Sequence, residues 1–324
     1  MTAHPTPAPM SPARRAALAG ILSAVGASCV FSVNDVSIKF LSGDYALHQV
    51  VLTRSLIGLA VMLAVVLPFS GGFAVLRTGK LRLHLIRGGF VVFSNLCYFL
   101  GLAAMPLADA VAIFFISPLM ITALSVPMLG EKVGPRRWFA VCIGLVGVVV
   151  MLRPGSGAFQ MATLLPVVSA FAYAMMHMMT RRMGGTESAV AMTFYVQLCF
   201  VQVSGAFGLA VGDGHLAAQS DASLAFLFRA WVWPAPGDWL IMLAIGVSSS
   251  FGGLLIAQAY KLCEAGLVAP FEYASMPLAI FWGVAVFGVW PDATAWMGIA
   301  LICGGGLYMF WREALAARRE RQEE

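Results

Sequence analysis

The chain is short of charge. Only 11% of its 324 residues are Asp, Glu, Lys or Arg, against ~25% in an average soluble domain. Hydrophobic residues make up 60%. Such a chain cannot cover a water-facing surface with polar groups, so the bilayer is its solvent. Only helices or a closed barrel satisfy the backbone there. The apolar runs are continuous rather than alternating, which excludes the barrel. The six cysteines (Cys29, Cys97, Cys142, Cys199, Cys263, Cys303) include no CxxC pair. They read as small apolar packing residues, and neither a metal nor a redox site is expected. No GxxxxGK[ST] occurs, so no ATPase of its own is expected. HExxH is also absent. The net charge of +5 is not gathered on a soluble face, which argues against nucleic acid as a partner.

What is present is a series of long apolar runs. Ten spans are expected, at 16–36, 47–68, 86–104, 108–129, 138–153, 160–180, 189–211, 239–261, 267–288 and 294–311. Most approach the ~20 residues that a helix needs to cross a ~30 Å hydrocarbon core. A Pro-rich polar stretch, 1–15, reads as a disordered tail, and 313–324 as a charged one. Arg14-Arg15 before an apolar run resembles a signal-peptide start, but the run continues into a spanning helix, so it reads as retained.

Cations set the orientation. With the N-terminus inside, sixteen fall on cytoplasmic segments: Arg14, Arg15, Arg77, Lys80, Arg82, Arg87, Lys132, Arg136, Arg137, Arg181, Arg182, Lys261, Arg312, Arg318, Arg319 and Arg321. Three (Lys39, Arg153, Arg229) fall outside, and Arg54 lies within a span. Both termini are therefore expected in the cytoplasm. The longest loop, 212–238, is then external, its Trp231-Val232-Trp233-Pro234 cluster serving either as an interface anchor or as a lid.

Sliding the chain by 158 residues superposes Ser117 on Ser275, Gly130 on Gly288, Trp138 on Trp296 and Gly147 on Gly305. Two halves, 16–154 and 158–312, would each hold five spans. An odd number inverts the second half. The expected fold is an all-α integral membrane protein with ten transmembrane helices in two inverted five-helix repeats, the substrate lying between the halves. Pro118 and Pro277 fall at matching depth and are candidates for gating bends.

Charge inside a span costs at least ~2.5–3.5 kcal/mol on insertion scales, so each case needs a reason. Asp35 and Arg54 reach similar depth, either as an ion pair between the first two spans or as substrate contacts. Glu272, in Ala269-Pro270-Phe271-Glu272-Tyr273, either snorkels to the inner surface or faces the cavity beside Tyr273. His177 is either a packed core histidine or a proton carrier.

Ile116-Ser117-Pro118, Leu129-Gly130-Glu131-Lys132, Trp138, Gly144-Leu145-Val146-Gly147-Val148 and Leu152-Arg153-Pro154-Gly155 resemble the ten-helix, EamA-like drug/metabolite transporters. Within them the pattern is similar to the S-adenosylmethionine uptake group. The resemblance covers nearly the whole chain. It implies a secondary transporter in the inner membrane, monomeric or homodimeric, with no cofactor. Its cargo would be a small polar or amphipathic metabolite such as an amino acid, a nucleoside or a compound like S-adenosylmethionine. It implies a cavity lined by helices one, three, four, six, eight and nine, favouring Asn34, Asn95, Tyr98, Tyr173 and Gln258 over Gln197 and Gln202. It also implies that helices five and ten pack together away from the cavity. The alternatives are a membrane-embedded enzyme, which would need a catalytic constellation that the sequence does not offer, and a non-transporting scaffold.

Overall fold

The computed structural model describes residues 12–130, 134–153, 161–218, 220–263 and 268–323, with side chains omitted at a few further positions. The start of the N-terminal tail, Lys132 of the cation-rich connector, Glu264, and the junction expected between the halves lie outside these residues.

The described residues are helical or turn, with no strand among them. Among the described residues twelve α-helices follow in order. They are α1 (Pro12–Leu41), α2 (Leu47–Val61), α3 (Leu81–Ala104), α4 (Leu107–Phe114), α5 (Ser117–Leu129), α6 (Pro135–Leu152), α7 (Leu165–Met183), α8 (Ala189–Val211), α9 (Ala222–Phe228), α10 (Asp238–Leu262), α11 (Ser275–Phe287) and α12 (Ala293–Glu323). Local chemistry sets several ends. Pro135 opens α6, where its missing N–H costs nothing. Ser188 and Asp221 cap α8 and α9 by accepting from Ala191 N and Leu224 N. Gly130 and Gly288 close α5 and α11 in the left-handed conformation (φ 72° and 66°) that a Cβ disfavours.

Among the described residues seven helices or helix pairs are long and apolar enough to span a membrane, and three shorter apolar stretches, Trp138–Leu152, Phe271–Phe287 and Ala293–Gly305, accompany them. Fifteen helical residues rise only ~22 Å, short of a ~30 Å core. The outward faces carry large apolar side chains such as Leu22, Val146, Leu209 and Leu240. Exposed Phe69 and Phe73 lie at one end of the bundle, Trp233 and Trp290 at the other. Such a surface is stable only in lipid, with aromatics at both interfaces. The protein is a multi-pass membrane protein.

Two expected spans are interrupted. The run 108–129 breaks into α4 and α5 at Phe115-Ile116. Pro118 lacks the N–H that would bond Phe114 O, and its ring crowds that carbonyl. Before Pro277 the chain runs as a 3-10 turn, Ala269–Ala274, and becomes α-helical at Ser275. Both prolines thus sit in the first turn of a new helix rather than at a mid-helix bend. The final helix continues to Glu323 instead of ending near 311.

Packing follows a pattern. Helix α1 lies along α10, α3 along α7, α2 on α8, α4 on α11 and α6 on α12. Helix α2 also touches α10, and α3 touches α8. The α6–α12 contact is glycine-lined. A Cβ on Gly147 would meet Ile302, Leu301 and the Gly298 carbonyl, and one on Gly305 would meet the Ala140 carbonyl, Gly144 N and Ile143. These are the same three positions displaced by 158 residues. Close backbone approach of this kind replaces the hydrophobic force that lipid cannot supply.

Each end of the bundle is tied by polar side chains. At the α1–α2 end, Tyr45 donates to Asp238 Oδ2 (2.5 Å) at the start of α10, which holds the Tyr45 hydroxyl proton more tightly than usual. Gln49 donates to Val232 O (2.6 Å), and Arg229 donates to the Ser42 and Tyr45 carbonyls. Trp231 packs against Gly208 and Gly212, while Trp233 is exposed. The long loop thus has both an anchoring tryptophan and a clamp onto the α1–α2 turn. At the opposite end, the buried pair His84–Glu187 (3.1 Å) ties α3 to the α7–α8 turn. Thr78 donates to the other Glu187 oxygen, and Lys80 to Thr186.

Candidate functional site

Between these two tied ends lies a cavity of about 160 Å³, bordered by α1, α2, α3, α4, α7, α8, α10 and the Glu272–Ser275 segment. Helix α3 contributes Arg87, Val91, Ser94, Asn95 and Tyr98, a stripe at helical spacing. Aromatic rings form much of the remaining wall. Phe114 stands between Tyr98 and Tyr173 with centroids 5.0 Å away on each side.

Four ionisable side chains face this cavity. Asp35 accepts from Tyr98 Oη (3.0 Å) and from Asn34 Nδ2 (3.4 Å). Glu272, 7% exposed, accepts from Tyr173 Oη (2.8 Å) and from Tyr260 Oη. Arg54, 3% exposed, donates through Nη2 to Asn95 Oδ1 (2.8 Å). Its guanidinium lies over Phe200 (4.7 Å) and Phe99 (5.3 Å). Arg87 donates to Thr180 Oγ1 (2.7 Å) and to Met192 O (3.0 Å). No carboxylate forms an ion pair with either arginine, and no cation with Asp35 or Glu272, among the described residues. Acidic and basic side chains thus share one cavity without direct contact between them among the described residues, an arrangement that costs stability.

The expected residues fall into three groups. Asn34, Asp35, Arg54, Asn95, Tyr98, Tyr173 and Glu272 all line the cavity. Asp35 and Arg54 do not pair. Each is held instead by α3, through Tyr98 and Asn95, one turn apart. Glu272 is buried rather than reaching for the surface. His177 lies just behind the wall, its ring 4.2 Å from Tyr173 and 3.8 Å from Tyr260. Tyr273 points elsewhere, donating to Phe115 O (3.2 Å) with its ring 5.1 Å from that of Phe115. Gln258, Pro118 and Pro277 are not part of the wall.

Arg87 and Gln197 are among the cavity residues that the sequence reading did not put forward. Arg87 was assigned to a cytoplasmic segment, yet it is buried on the cavity face of α3. Its spacing from Asn95 and Tyr98 was the available signal. Gln197 lines the cavity where Gln258 was expected, donating to Ser249 Oγ (2.8 Å). The described residues hold no cluster of metal-ligating side chains.

Apolar outside and charged within, the bundle defines a multi-pass membrane protein with an internal, solute-sized site. The EamA-like transporter family matches residues 18–153. A riboflavin transporter of Rhizobium johnstonii is 30% identical over 94% of both chains. One of Vibrio cholerae is 29% identical over 94% of this chain and 97% of its own. An S-adenosylmethionine uptake transporter of Rickettsia prowazekii is 24% identical over 90% of this chain and 92% of its own. A solved crystal structure matches in fold with a TM-score of 0.66 at 22% identity, over 94% of this chain and 98% of that one. The chain belongs to the EamA-like transporter family.

Proposed function

We propose that the protein is a secondary carrier of the inner membrane, moving a small polar or amphipathic metabolite by alternating access with a proton as coupling ion. The observation that carries this reading is the cavity itself. Four ionisable side chains, three of them buried, and a wall of aromatic rings surround a void between two tied ends. A charge kept inside the membrane without a neutralising partner marks a solute or ion path. Relatives named as transporters of riboflavin and of S-adenosylmethionine support a cargo with a flat ring and polar groups.

Alternating access requires two halves that exchange roles. Helices α5 and α11 have the same length and bounds 158 residues apart, and α6 and α12 begin at the same shift. Counting α4–α5 and the 3-10 turn with α11 as one span each, and leaving the seven-residue α9 in its loop, gives ten. The contacts then pair span one with eight and span three with six, while two–seven, four–nine and five–ten pair with themselves. Adding five to each number reproduces the list, which is the expectation for a twofold relation. The two tied ends also correspond. Tyr45 joins the turn after span one to the start of span eight, and Glu187 joins the turn after span six to the start of span three. We read the halves as 16–154 and 158–312, both termini as cytoplasmic, and the two ties as the outer and inner gates. A dimer, if formed, would use a face remote from the cavity.

Glu272 is the proposed coupling group, with Asp35 as the alternative. A carboxyl group that is dry in one state and wet in the other takes up a proton on one side and releases it on the other. Uptake of radiolabelled riboflavin and S-adenosylmethionine into proteoliposomes under an imposed pH gradient tests this. The wild type should accumulate substrate only with the gradient. Glu272→Gln should lose accumulation but keep exchange. Normal accumulation by that variant with an unchanged pH profile would remove Glu272 from the mechanism and leave Asp35. The absence of any carried solute across a broad metabolite panel would overturn the carrier reading.

A further inference from the structure

The second apolar span ends at Val66, and α3 begins at Leu81. The residues between them are not a slack loop. Two 3-10 turns, Pro68–Ser70 and Gly72–Leu76, meet at left-handed Gly71 and Gly72 (φ 98° and 69°), where a Cβ is strained. Ser70 Oγ donates to Val66 O (2.8 Å) and Gly72 N to Leu67 O (3.0 Å). Tyr195 Oη of α8 donates to Leu76 O (3.0 Å). The connector is a built platform at one end of the bundle.

The platform presents groups that the protein does not use. Phe69 and Phe73 are 89% and 73% exposed. Leu81 and Leu85, at the start of α3, are exposed as well. Arg77 and Arg82 are exposed and make no hydrogen bond or ion pair among the described residues. Residues 67–86 include no Asp or Glu. Glu187, which Thr78 reaches, is buried and shared with His84.

The corresponding connector, on the twofold relation proposed above, lies between spans seven and eight. There Arg229 donates to the Ser42 and Tyr45 carbonyls, and Trp231 stacks on His48 (centroids 5.9 Å). The protein itself takes up that arginine and that ring. On the α2–α3 connector both kinds of group are left to the surroundings. At the end of a membrane span those surroundings are headgroups and the first carbons of acyl chains. Apolar rings bury at that boundary, and cations beside them attract anionic lipid.

We propose that the 68–82 platform is a binding site for an anionic phospholipid, its headgroup held by Arg77 and Arg82 and its acyl chains against Phe69 and Phe73. A neutral phospholipid would cover the rings and leave the arginines unpaired. A free phosphate would do the reverse. Thr78 and Lys80, in the same platform, donate to Glu187 (3.0 Å) and Thr186 (2.9 Å). A lipid seated here therefore steadies the tie at this end of the cavity. That last step rests on reading the tie as a gate, whereas the lipid site does not.

Native mass spectrometry of the purified full-length protein measures retained lipid, with phosphatidylglycerol and phosphatidylcholine of identical chains as probes. The wild type should prefer phosphatidylglycerol. Arg77→Gln with Arg82→Gln should weaken its retention roughly 30-fold, the sum of two interfacial cations, and leave phosphatidylcholine unchanged. Phe69→Ser with Phe73→Ser should weaken both lipids. Arg15→Gln with Arg181→Gln removes two cations from α1 and α7 instead and should change neither. Equal losses in the two arginine pairs would mean diffuse surface charge and overturn the site. So would equal retention of the two lipids by the wild type, or displacement of phosphatidylglycerol by inorganic phosphate. The link to the tie has its own readout. Ser249, in the cavity wall, is replaced by cysteine in a cysteine-free background. Exchanging phosphatidylcholine for phosphatidylglycerol in proteoliposomes should slow its labelling from the Glu187 side. An unchanged rate would overturn the link and leave the lipid site standing.

Discussion

Replacing Gly147 with alanine at the α6–α12 crossing offers a direct test of the packing argument. The added Cβ would stand 2.8 Å from Ile302 Cγ1, 2.9 Å from Leu301 Cβ and 3.0 Å from the Gly298 carbonyl oxygen. Two of these atoms belong to backbone or to a Cβ, so side-chain rotation alone cannot clear them. Inserting one methyl into a full interface typically costs about 1–3 kcal/mol. Alanine also raises helix propensity by roughly 0.8–1 kcal/mol, which blurs the single measurement. Gly304→Ala removes that ambiguity, since a Cβ there meets nothing within 4 Å. The propensity gain is common to both variants and cancels in their difference. Unfolding of the purified proteins in mixed micelles with rising SDS should place Gly147→Ala about 1–3 kcal/mol below Gly304→Ala. Equal stability of the two would refute the view that α6 and α12 meet backbone to backbone.

Three further expectations follow from contacts away from the cavity. Asp292 bonds Arg153 through both oxygens (2.6 Å each) and caps α12 by accepting from Ala295 N (2.8 Å). Asp292→Ala should therefore cost about 1 kcal/mol and Asp292→Asn much less, because asparagine still caps, as read by thermal denaturation. The Arg153 hydrogen bonds hold the Asp292 carboxyl below its ordinary value. Its contribution is present above the unfolded-state value of 3.8 and is lost as pH falls through the lower folded value. Melting temperatures between pH 7.5 and 9 should accordingly differ between wild type and Asp292→Asn only by a constant offset. Glu187→Ala strips the acceptor from buried His84 and from Thr78, which should cost about 1–3 kcal/mol. In a cysteine-free background it should also speed labelling of Ser249→Cys in the cavity by an impermeant thiol reagent added on the Glu187 side only; unchanged labelling would show that this tie is not a gate.

Much of the fold was legible because lipid leaves so few choices. Long apolar runs without alternation permit helices alone, and Ser117, Gly130 and Trp138 with their counterparts 158 residues on carried the register of α5, α6, α11 and α12. Lengths were less legible. Pro118 divides one expected span because its effect falls on the turn before it, at Phe115-Ile116. Within the cavity, the polar residues of the first and third spans were found because each is costly in lipid. Arg87 was not, since a cation seven residues into a helix reads equally well as an interface anchor. The preference for Gln258 over Gln197 came from the resemblance and not from the residues, because α8 and α10 are apolar all round and their rotational phase is not written in the sequence. Tyr273 was expected beside Glu272 in the cavity, yet adjacent residues of a 3-10 turn point in different directions.

Phe115 and Tyr273 stand 158 residues apart, and their rings touch. A residue meets its own counterpart only close to the line about which two related halves turn. On the carrier reading this contact is a fulcrum. Rocking displaces atoms in proportion to their distance from the pivot, so the ties at Tyr45 and Glu187 travel far while these two rings roll in place. The helical ladder is also interrupted on both sides of the contact, after Phe114 and before Ser275. On the same reading the backbone would yield most easily where the lever arm is shortest, and small torsions there would become large movements at the two mouths.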